Sequence, residues 1–175
     1  DGNIADVRLY SRALSATEIA TLADEHPLQS AFSSAYTVNS VGQTDMAMVF
    51  DGTDYCVIDS VLSEVRSDTQ GSWSLWIKPD DGWPAASQYP ISFGDASANE
   101  DIAIFLTTAG KLTVLAADAG VSQWALTTNA AVFDNDAAGS VWKHVVLVQN
   151  GTSPVLYVDS VAVAQTFGTF LDKTD

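Results

Sequence analysis

A run of apolar residues with a period of two, near the end of the chain, constrains the fold more than any other feature. In Val141–Gln149, VWKHVVLVQ, alternate residues would face opposite sides of an extended chain, which predicts a β-strand. Asn150-Gly151 then breaks the run, so the chain is predicted to reverse and return as a second strand over Val155–Asp159. A turn at Asp159-Ser160 leads into Val161–Ala164, another predicted strand. A ribbon this apolar needs a second sheet to cover it.

Further short strands are predicted along most of the chain. They are separated by Gly, Asp and Asn, and they lie at Ile4–Tyr10, Met46–Phe50, Tyr55–Ile58, Ser72–Lys78, Ile91–Phe93, Ile102–Thr107, Lys111–Ala116 and Gln123–Thr127. Many short strands with one helix are typical of an all-β sandwich and not of alternating βαβ units.

The single predicted helix runs from about Ala16 to Ala23. Ser15 and Glu18 have the spacing of a capping box, in which the hydroxyl accepts a hydrogen bond from the first turn and the carboxylate reaches back. Leu14 precedes the cap as a hydrophobic staple. Apolar residues continue at helical spacing until Pro27 ends the helix.

The formal charge of −15 argues against two classes of partner. The chain holds 22 acidic residues, 18 of them Asp, against 7 basic residues. Asp favours turns and caps, so the acids are expected in the loops between strands. Such a surface repels phosphate backbones and anionic lipids, and no run of about 18 apolar residues is present. Neither nucleic acid binding nor membrane insertion is therefore expected.

Two residues with reactive side chains are predicted to be structural. Cys56 is the only cysteine, so the chain cannot form an internal disulfide. Its place in the alternating stretch DYCVID predicts a small buried side chain and not a reactive thiol. His144, inside the main apolar run, is predicted to be a packed, hydrogen-bonded strand residue and not a base or a metal ligand.

Several of these stretches resemble a known family. FDGTDYCVI (50–58), SWSLWIKP (72–79) and VWKHVVLVQNG followed by LYVDSVAV resemble strands of a laminin G-like, concanavalin A-like jelly roll. DGNIADVRLYSRALSATEIATL (1–22) is similar to the closing signature of that family, in which a final strand runs into a short capped helix. The resemblance implies an antiparallel two-sheet β-sandwich, the concanavalin-like jelly roll, with one short helix.

The order of these stretches divides the chain into three predicted parts. Residues 1–24 form the closing strand and capped helix, residues 25–45 a linker or arm, and residues 46–175 the β-sandwich. The opening at Asp1, with neither an initiator Met nor a signal-like stretch, predicts that the chain is part of a longer protein.

The closing strand stands at the start of the chain, and three interpretations follow. It closes a preceding repeat, it returns to complete its own permuted domain, or it completes a neighbouring subunit. The last two are favoured, because a sandwich that lacks a central strand exposes an apolar edge. The predicted assembly strand presents Ile4, Val7, Leu9 and Tyr10.

No catalytic residues are expected, and the chain is predicted not to be an enzyme. Enzymes of the resembling family that cleave glucans carry the motif Glu-x-Asp-x-x-Glu on a strand, which places two carboxylates on one face. Glu100-Asp101 has acids only at the start of its strand, so it does not match. The sequence also has no Gly-rich phosphate loop, zinc-ligand spacing or nucleophile elbow.

A structural calcium ion is implied by the resemblance, which does not identify its ligands. Asp51 and Asp54 flank the turn at Gly52, and Asp6 would lie near them if the first strand completes this domain. Clustered Asp oxygens suit Ca²⁺, which takes six to eight oxygen ligands. The alternative is that these are turn aspartates that cap backbone N–H groups.

Carbohydrate binding would need an exposed aromatic ring beside polar groups. Trp83 next to Asp81, Trp124, and Asn135 in a second acidic cluster are the candidates. The alternative is that a loop tryptophan only plugs the end of the sandwich.

Two functions follow from these observations. The first is a non-catalytic structural or assembly module of an extracellular, cell-surface or virion protein, of the phage decoration, phage tail or bacterial filament type. Its partners would be protein neighbours, as a homo-oligomer or in a tandem, capsid or filament. The second is a calcium-dependent, lectin-like adhesion domain that binds glycans.

Overall fold

The computed structural model describes residues 2–24, 36–37, 47–51, 55–57, 68–95, 100–135 and 141–171. Within them lie twelve strands and one helix. The elements are β1 Gly2–Tyr10, α1 Ala16–Asp24, β2 Tyr36–Thr37, β3 Ala47–Phe50, β4 Gly71–Pro79, β5 Gln88–Asp95, β6 Glu100–Leu106, β7 Leu112–Asp118, β8 Val121–Thr128, β9 Lys143–Gln149, β10 Val155–Val158, β11 Val161–Ala162 and β12 Gln165–Phe170.

The strands form two antiparallel sheets that confirm the predicted β-sandwich. One sheet has seven strands in the order β11-β10-β9-β4-β1-β3-β2, and the other has five in the order β12-β8-β7-β6-β5. The inward-facing residues of both sheets form the main core, because successive side chains of a strand point to opposite faces. The fully enclosed members of this core include Leu75, Ile104, Leu112, Val114, Trp124, Leu126, Val145 and Leu156.

The apolar run that dominates the sequence forms the predicted hairpin. β9 pairs with β10 from Val145 opposite Val158 to Val148 opposite Val155. The Asn150 side chain organises the connection by accepting hydrogen bonds of 2.9 Å from two backbone N–H groups that follow it. The next turn has positive φ at Asp159 and Ser160, 48° and 66°, which is the geometry of a two-residue hairpin.

The predicted helix is also present, with the predicted cap. Ser15 Oγ accepts from the Glu18 backbone N–H at 3.3 Å, and the Glu18 carboxylate accepts from the Ser15 backbone N–H at 2.9 Å. α1 buries Ile19 and Leu22 against Val146 and Val148 of β9. The helix therefore covers the outer face of the seven-stranded sheet.

Two sequence predictions differ from the structure. Residues 55–57 are not part of a strand, and Cys56 is exposed and not buried. Alternating apolar and polar residues predict buried side chains only in a strand with one face covered, and residues 55–57 form no strand. Conversely, β12 was not predicted, because Gly168 interrupts its short alternation of Thr and Phe.

Candidate functional site

The N-terminal strand occupies the middle of the larger sheet. β1 lies between β4 and β3, with Ile4 opposite Ile77 on one side and Met48 on the other. β1, α1 and the turn between them, residues 2–24, are here called the arm, and the space between β3 and β4 is called the slot. Because β1 fills the slot, it completes the backbone pairing of β4 along nearly its whole length.

The predicted assembly side chains are mostly covered when the arm is in the slot. Ile4 packs against the main core, and Leu9 lies opposite Trp73. Tyr10 packs with the cluster beneath α1. Val7 is different, because its side chain is 44% exposed beside a register shift in β1.

A buried serine of β4 fastens the turn between β1 and α1. Ser72 Oγ donates to the Arg12 carbonyl and accepts from the Leu14 N–H, both at 3.0 Å. Ser72 is 1% exposed, so these bonds lie in a dry environment. The role of Ser72 is not evident from the sequence, because an outward serine of a strand is normally solvated. Its alternation with the inward residues of SWSLWIKP was the available signal.

An ion pair at the start of the helix extends this connection. The Arg12 guanidinium bonds the Glu18 carboxylate at 2.5 and 3.1 Å. Together with the two bonds from Ser15, this lowers the pKa of Glu18 to about 2. The same interaction raises the pKa of Arg12. Since both side chains are exposed, the pair orients the turn more than it stabilises the fold.

The predicted calcium ligands do not converge in the described part of the chain. Asp6 has a φ of 49° at the register shift of β1 and accepts a 2.8 Å bond from Arg8. Asp51 follows the end of β3, which pairs with the start of β1, so it lies roughly 15 Å away along the strand. Asp54 lies outside the described residues. The described residues include no group of three or more His, Cys, Asp or Glu that could hold a metal ion.

Three loops meet at one end of the sandwich around Trp83. The Trp83 indole N–H donates to the Phe133 carbonyl at 3.0 Å, and its backbone N–H donates to Asp81 at 2.8 Å. A Cβ on Gly110 would collide with the indole, and a Cβ on Gly82 would collide with the carbonyl of Asp134. The ring is therefore held rigidly while 39% of the residue remains exposed.

The other two carbohydrate candidates are separated from each other. Asn135 is exposed and lies two residues after Phe133, at the same end as Trp83. Trp124 is fully buried in the main core, so it offers no ring face to a ligand. Sequence alternation in β8 could not distinguish the inward face from the outward one, because a register shift occurs beside Trp124.

His144 is buried and hydrogen-bonded, as predicted. Its Nε2 lies 2.9 Å from Ser74 Oγ, and the two residues are 1% and 2% exposed. Burial lowers the pKa of His144 and outweighs the opposing effects of Asp159 and Asp6. Its Nδ1 has no hydrogen-bond partner among the described residues, so no carboxylate orients the ring as a base. Because His144 and Ser74 are both buried, a substrate also cannot reach them.

Comparison with known proteins agrees with this architecture. The laminin G-like family of the concanavalin A-like lectin/glucanases superfamily matches residues 50–175. The matched region begins after the arm. No curated protein and no solved structure is significantly similar to the chain. In the described residues, no helix is long and apolar enough to cross a membrane. The chain belongs to the laminin G-like family of the concanavalin A-like lectin/glucanases superfamily, whose domains are generally non-catalytic, lectin-like or structural binding modules.

Proposed function

We propose that this protein is an assembly module in which copies of the chain exchange their arms. One observation carries the proposal: a strand in the middle of a sheet comes from residues 2–10, whereas the family match begins at residue 50. The slot is the functional site, and the arm of another copy is its ligand.

The contacts of the arm permit exchange because they do not depend on which chain supplies it. An arm from a second copy would make the same backbone ladder with β3 and β4, the same Ser72 bonds and the same packing of α1 on β9. The only difference is the path of the residues between α1 and β2, because β2 pairs with β3 of its own chain. These 11 residues, 25–35, could span at most about 40 Å when extended, which is enough to reach a closely packed neighbour.

An empty slot would not persist in water. Without β1, the backbone of β4 and the side chains of Trp73 and Ile77 would lie at an open sheet edge. A copy that donates its arm must therefore receive one, which leads to a closed ring or an open filament. This behaviour suits an extracellular, cell-surface or virion protein, such as a phage decoration or tail protein or a bacterial filament. The charge of −15 favours protein partners over nucleic acid.

Cysteine cross-linking between two differently labelled chains tests arm exchange. Asn3 and Lys78 face each other across β1 and β4, so one chain carries Asn3→Cys and the other Lys78→Cys, each with Cys56→Ser. After the two are mixed, unfolded and refolded together, exchange predicts a covalent heterodimer on mild oxidation. Its two chains are identified by mass spectrometry.

A doubly substituted chain and a displaced cysteine are the controls. Asn3→Cys with Lys78→Cys in one chain reports arms that stay in their own slot. Lys78→Cys mixed with Val161→Cys, which is exposed on β11, reports random collision. Heterodimers no more frequent than in the collision control, with complete cross-linking inside the doubly substituted chain, would disprove exchange.

Glycan binding at the Trp83 end is the second candidate function. The observation that favours it is a rigid, partly exposed indole beside Asp81 and near the exposed Asn135. Calorimetry with a panel of neutral oligosaccharides, with calcium and with a chelator, tests both binding and calcium dependence. Trp83→Ala should abolish binding, whereas Tyr89→Ala, which removes a more exposed ring from β5, should not. Equal losses in both variants would contradict a site at this end.

A further inference from the structure

The turn between β9 and β10 carries an asparagine followed by a glycine. Asn150 is exposed, Gly151 is half-buried, and the exposed Thr152 follows them. Neither arm exchange nor glycan binding at Trp83 uses this turn, so its chemistry is separate from the proposed function.

The turn itself requires both residues. Asn150 Oδ1 accepts hydrogen bonds of 2.9 Å from the backbone N–H groups of Thr152 and Ser153. Gly151 has a φ of 76°, which a residue with a side chain rarely adopts, and an added Cβ would lie 2.8 Å from the Gln70 side chain. The hairpin therefore depends on a side-chain acceptor at position 150 and on glycine at position 151.

An asparagine in this setting can react with the backbone that follows it. The next backbone nitrogen can attack the side-chain carbonyl carbon, because the two atoms are close in the chain and join to form a five-membered ring. Glycine hinders this attack least, because it has no Cβ beside the nitrogen. The two bonds to Oδ1 hold the Asn150 side chain folded toward the residues that follow it, instead of extended into solvent.

The same two donors favour the reaction electrostatically. Attack on the Asn150 carbonyl carbon moves negative charge onto Oδ1, and the Thr152 and Ser153 N–H groups already bond that oxygen. Donors that are in place before the charge develops lower the barrier to addition at a carbonyl. Asn129 is in a different setting, because its Oδ1 accepts from the Thr166 hydroxyl at 2.7 Å and alanine follows it.

One contact opposes the reaction. Gln149 Oε1 accepts from the Gly151 N–H at 3.2 Å, and this bond must break before the nitrogen loses its proton. It is longer than the two bonds to Asn150 Oδ1, and it lies beside exposed residues that water reaches. It therefore slows the reaction without preventing it.

We propose that Asn150 is a site of spontaneous covalent modification, with water as the co-reactant. The Gly151 nitrogen loses its proton to hydroxide and bonds Asn150 Cγ, and the Cγ–Nδ2 bond breaks to release ammonia. Water then opens the cyclic imide. Opening at Cγ gives aspartate, and opening at the main-chain carbonyl gives isoaspartate, in which the main chain runs through the former side chain. Either product adds one negative charge to the chain.

The two products affect the hairpin differently. Aspartate keeps an oxygen where Thr152 and Ser153 donate, so the turn is retained. Isoaspartate adds one carbon to the main chain between β9 and β10 and moves the acceptor. It should therefore weaken the pairing next to the turn, where Val148 lies opposite Val155.

Ageing of the full chain at mildly alkaline pH, followed by peptide mapping with mass spectrometry, tests the proposal. The folded chain and a chain unfolded in urea are sampled over the same weeks. Asn150 should convert in the folded chain at a rate within about threefold of its unfolded rate, whereas folding should slow Asn3 and Asn129 at least about tenfold. An Asn150 that stays intact in the folded chain, or converts no faster than Asn3 and Asn129, would overturn the proposal.

Two matched variants assign the change to this turn. Asn150→Asp has no amide to lose, so the acidic form that accumulates on ion exchange should disappear while the unfolding midpoint is retained. Asn129→Asp should leave that accumulation unchanged. The isoaspartate fraction of the aged chain should unfold at a lower urea concentration than Asn150→Asp, and equal midpoints would contradict the predicted effect on the hairpin.

Discussion

The two outer faces of the sandwich are built differently. On the seven-stranded sheet, α1 covers β9, and every β9 residue from His144 to Gln149 is buried. On the five-stranded sheet, the outward side chains of Leu115, Ala125 and Thr127 are only half-buried. Part of the first face is therefore a second core beneath α1, whereas the second face has no such cover in the described residues.

The difference shows how the arm contributes to the fold. The arm supplies both the central strand β1 and the helix that covers β9, and Ser72 holds the turn between them. The arm therefore completes the strand pairing within the seven-stranded sheet and also covers part of the outer face of that sheet. A face that depends on one segment in this way is sensitive to changes in that segment, whereas the outer face of the five-stranded sheet is not.

The largest expected effect is a loss of packing beneath the helix. Ile19 is fully buried against β9, so Ile19→Ala should lower the free energy of unfolding by about 2–5 kcal/mol. Leu115→Ala, on the outer face of the five-stranded sheet, removes a similar volume from a half-buried site and should cost about 1 kcal/mol or less. Urea unfolding followed by tryptophan fluorescence measures both. Equal losses would mean that the two faces are equally packed.

A smaller effect is expected from the serine that fastens the arm. Ser72→Ala leaves the Leu14 N–H and the Arg12 carbonyl without their partner, which should cost about 1–3 kcal/mol. Ser92→Ala, on the exposed side of β5, should change stability by less than about 0.5 kcal/mol. The same unfolding curves compare the two serines. A neutral Ser72→Ala would show that the turn is held by other contacts.

The helix cap should contribute less again. Ser15→Ala removes the hydroxyl that accepts from Glu18 N–H and should lower stability by about 1 kcal/mol. Thr166→Ala, which removes an exposed hydroxyl bonded to Asn129, should have less than about half that effect. Thermal unfolding by circular dichroism gives both values. A larger loss of stability for Thr166→Ala than for Ser15→Ala would show that the five-stranded sheet is more sensitive than the arm to the loss of one hydroxyl.

The smallest effect is a change in how stability depends on pH. We expect it from His144, on the outer face of the seven-stranded sheet. Burial lowers the pKa of folded His144, so the unfolded chain binds this proton more readily. The stabilising contribution is complete above the ordinary histidine pKa of about 6.5 and is lost as the pH falls below it. His144→Gln should remove the part of the slope between about pH 7 and the lowered pKa. An unchanged slope in that variant would assign it to other groups.

Much of the fold could be predicted from local pattern. The period of two in β4 and β9, the turn chemistry of Asn150 and Asp159, and the capping box of Ser15 each follow from interactions over a few residues. The stretch at Tyr55–Ile58 shows the limit, because its alternation is as regular as that of a strand and yet residues 55–57 form none.

The candidate sites were less predictable than the fold. Trp83 follows Asp81-Gly82 and Trp124 follows Gln123, and only the tertiary structure places the first in a loop and the second in the core. Asp6 lies in β1 and Asp51 follows β3, which pairs with β1, but their positions along the strands separate them. Whether Trp83 binds a glycan and whether Asp54 contributes to a calcium site remain predictions.

The sequence by itself determined that this protein is a layered β-sandwich with one capped helix, because alternation and turn residues act locally. Only the tertiary structure decided that the first strand lies in the middle of a sheet, that its helix covers β9, and that the opposite face stays open. These features depend on contacts such as Leu14 with Ser72, 58 positions apart, and long-range pairing leaves no local pattern.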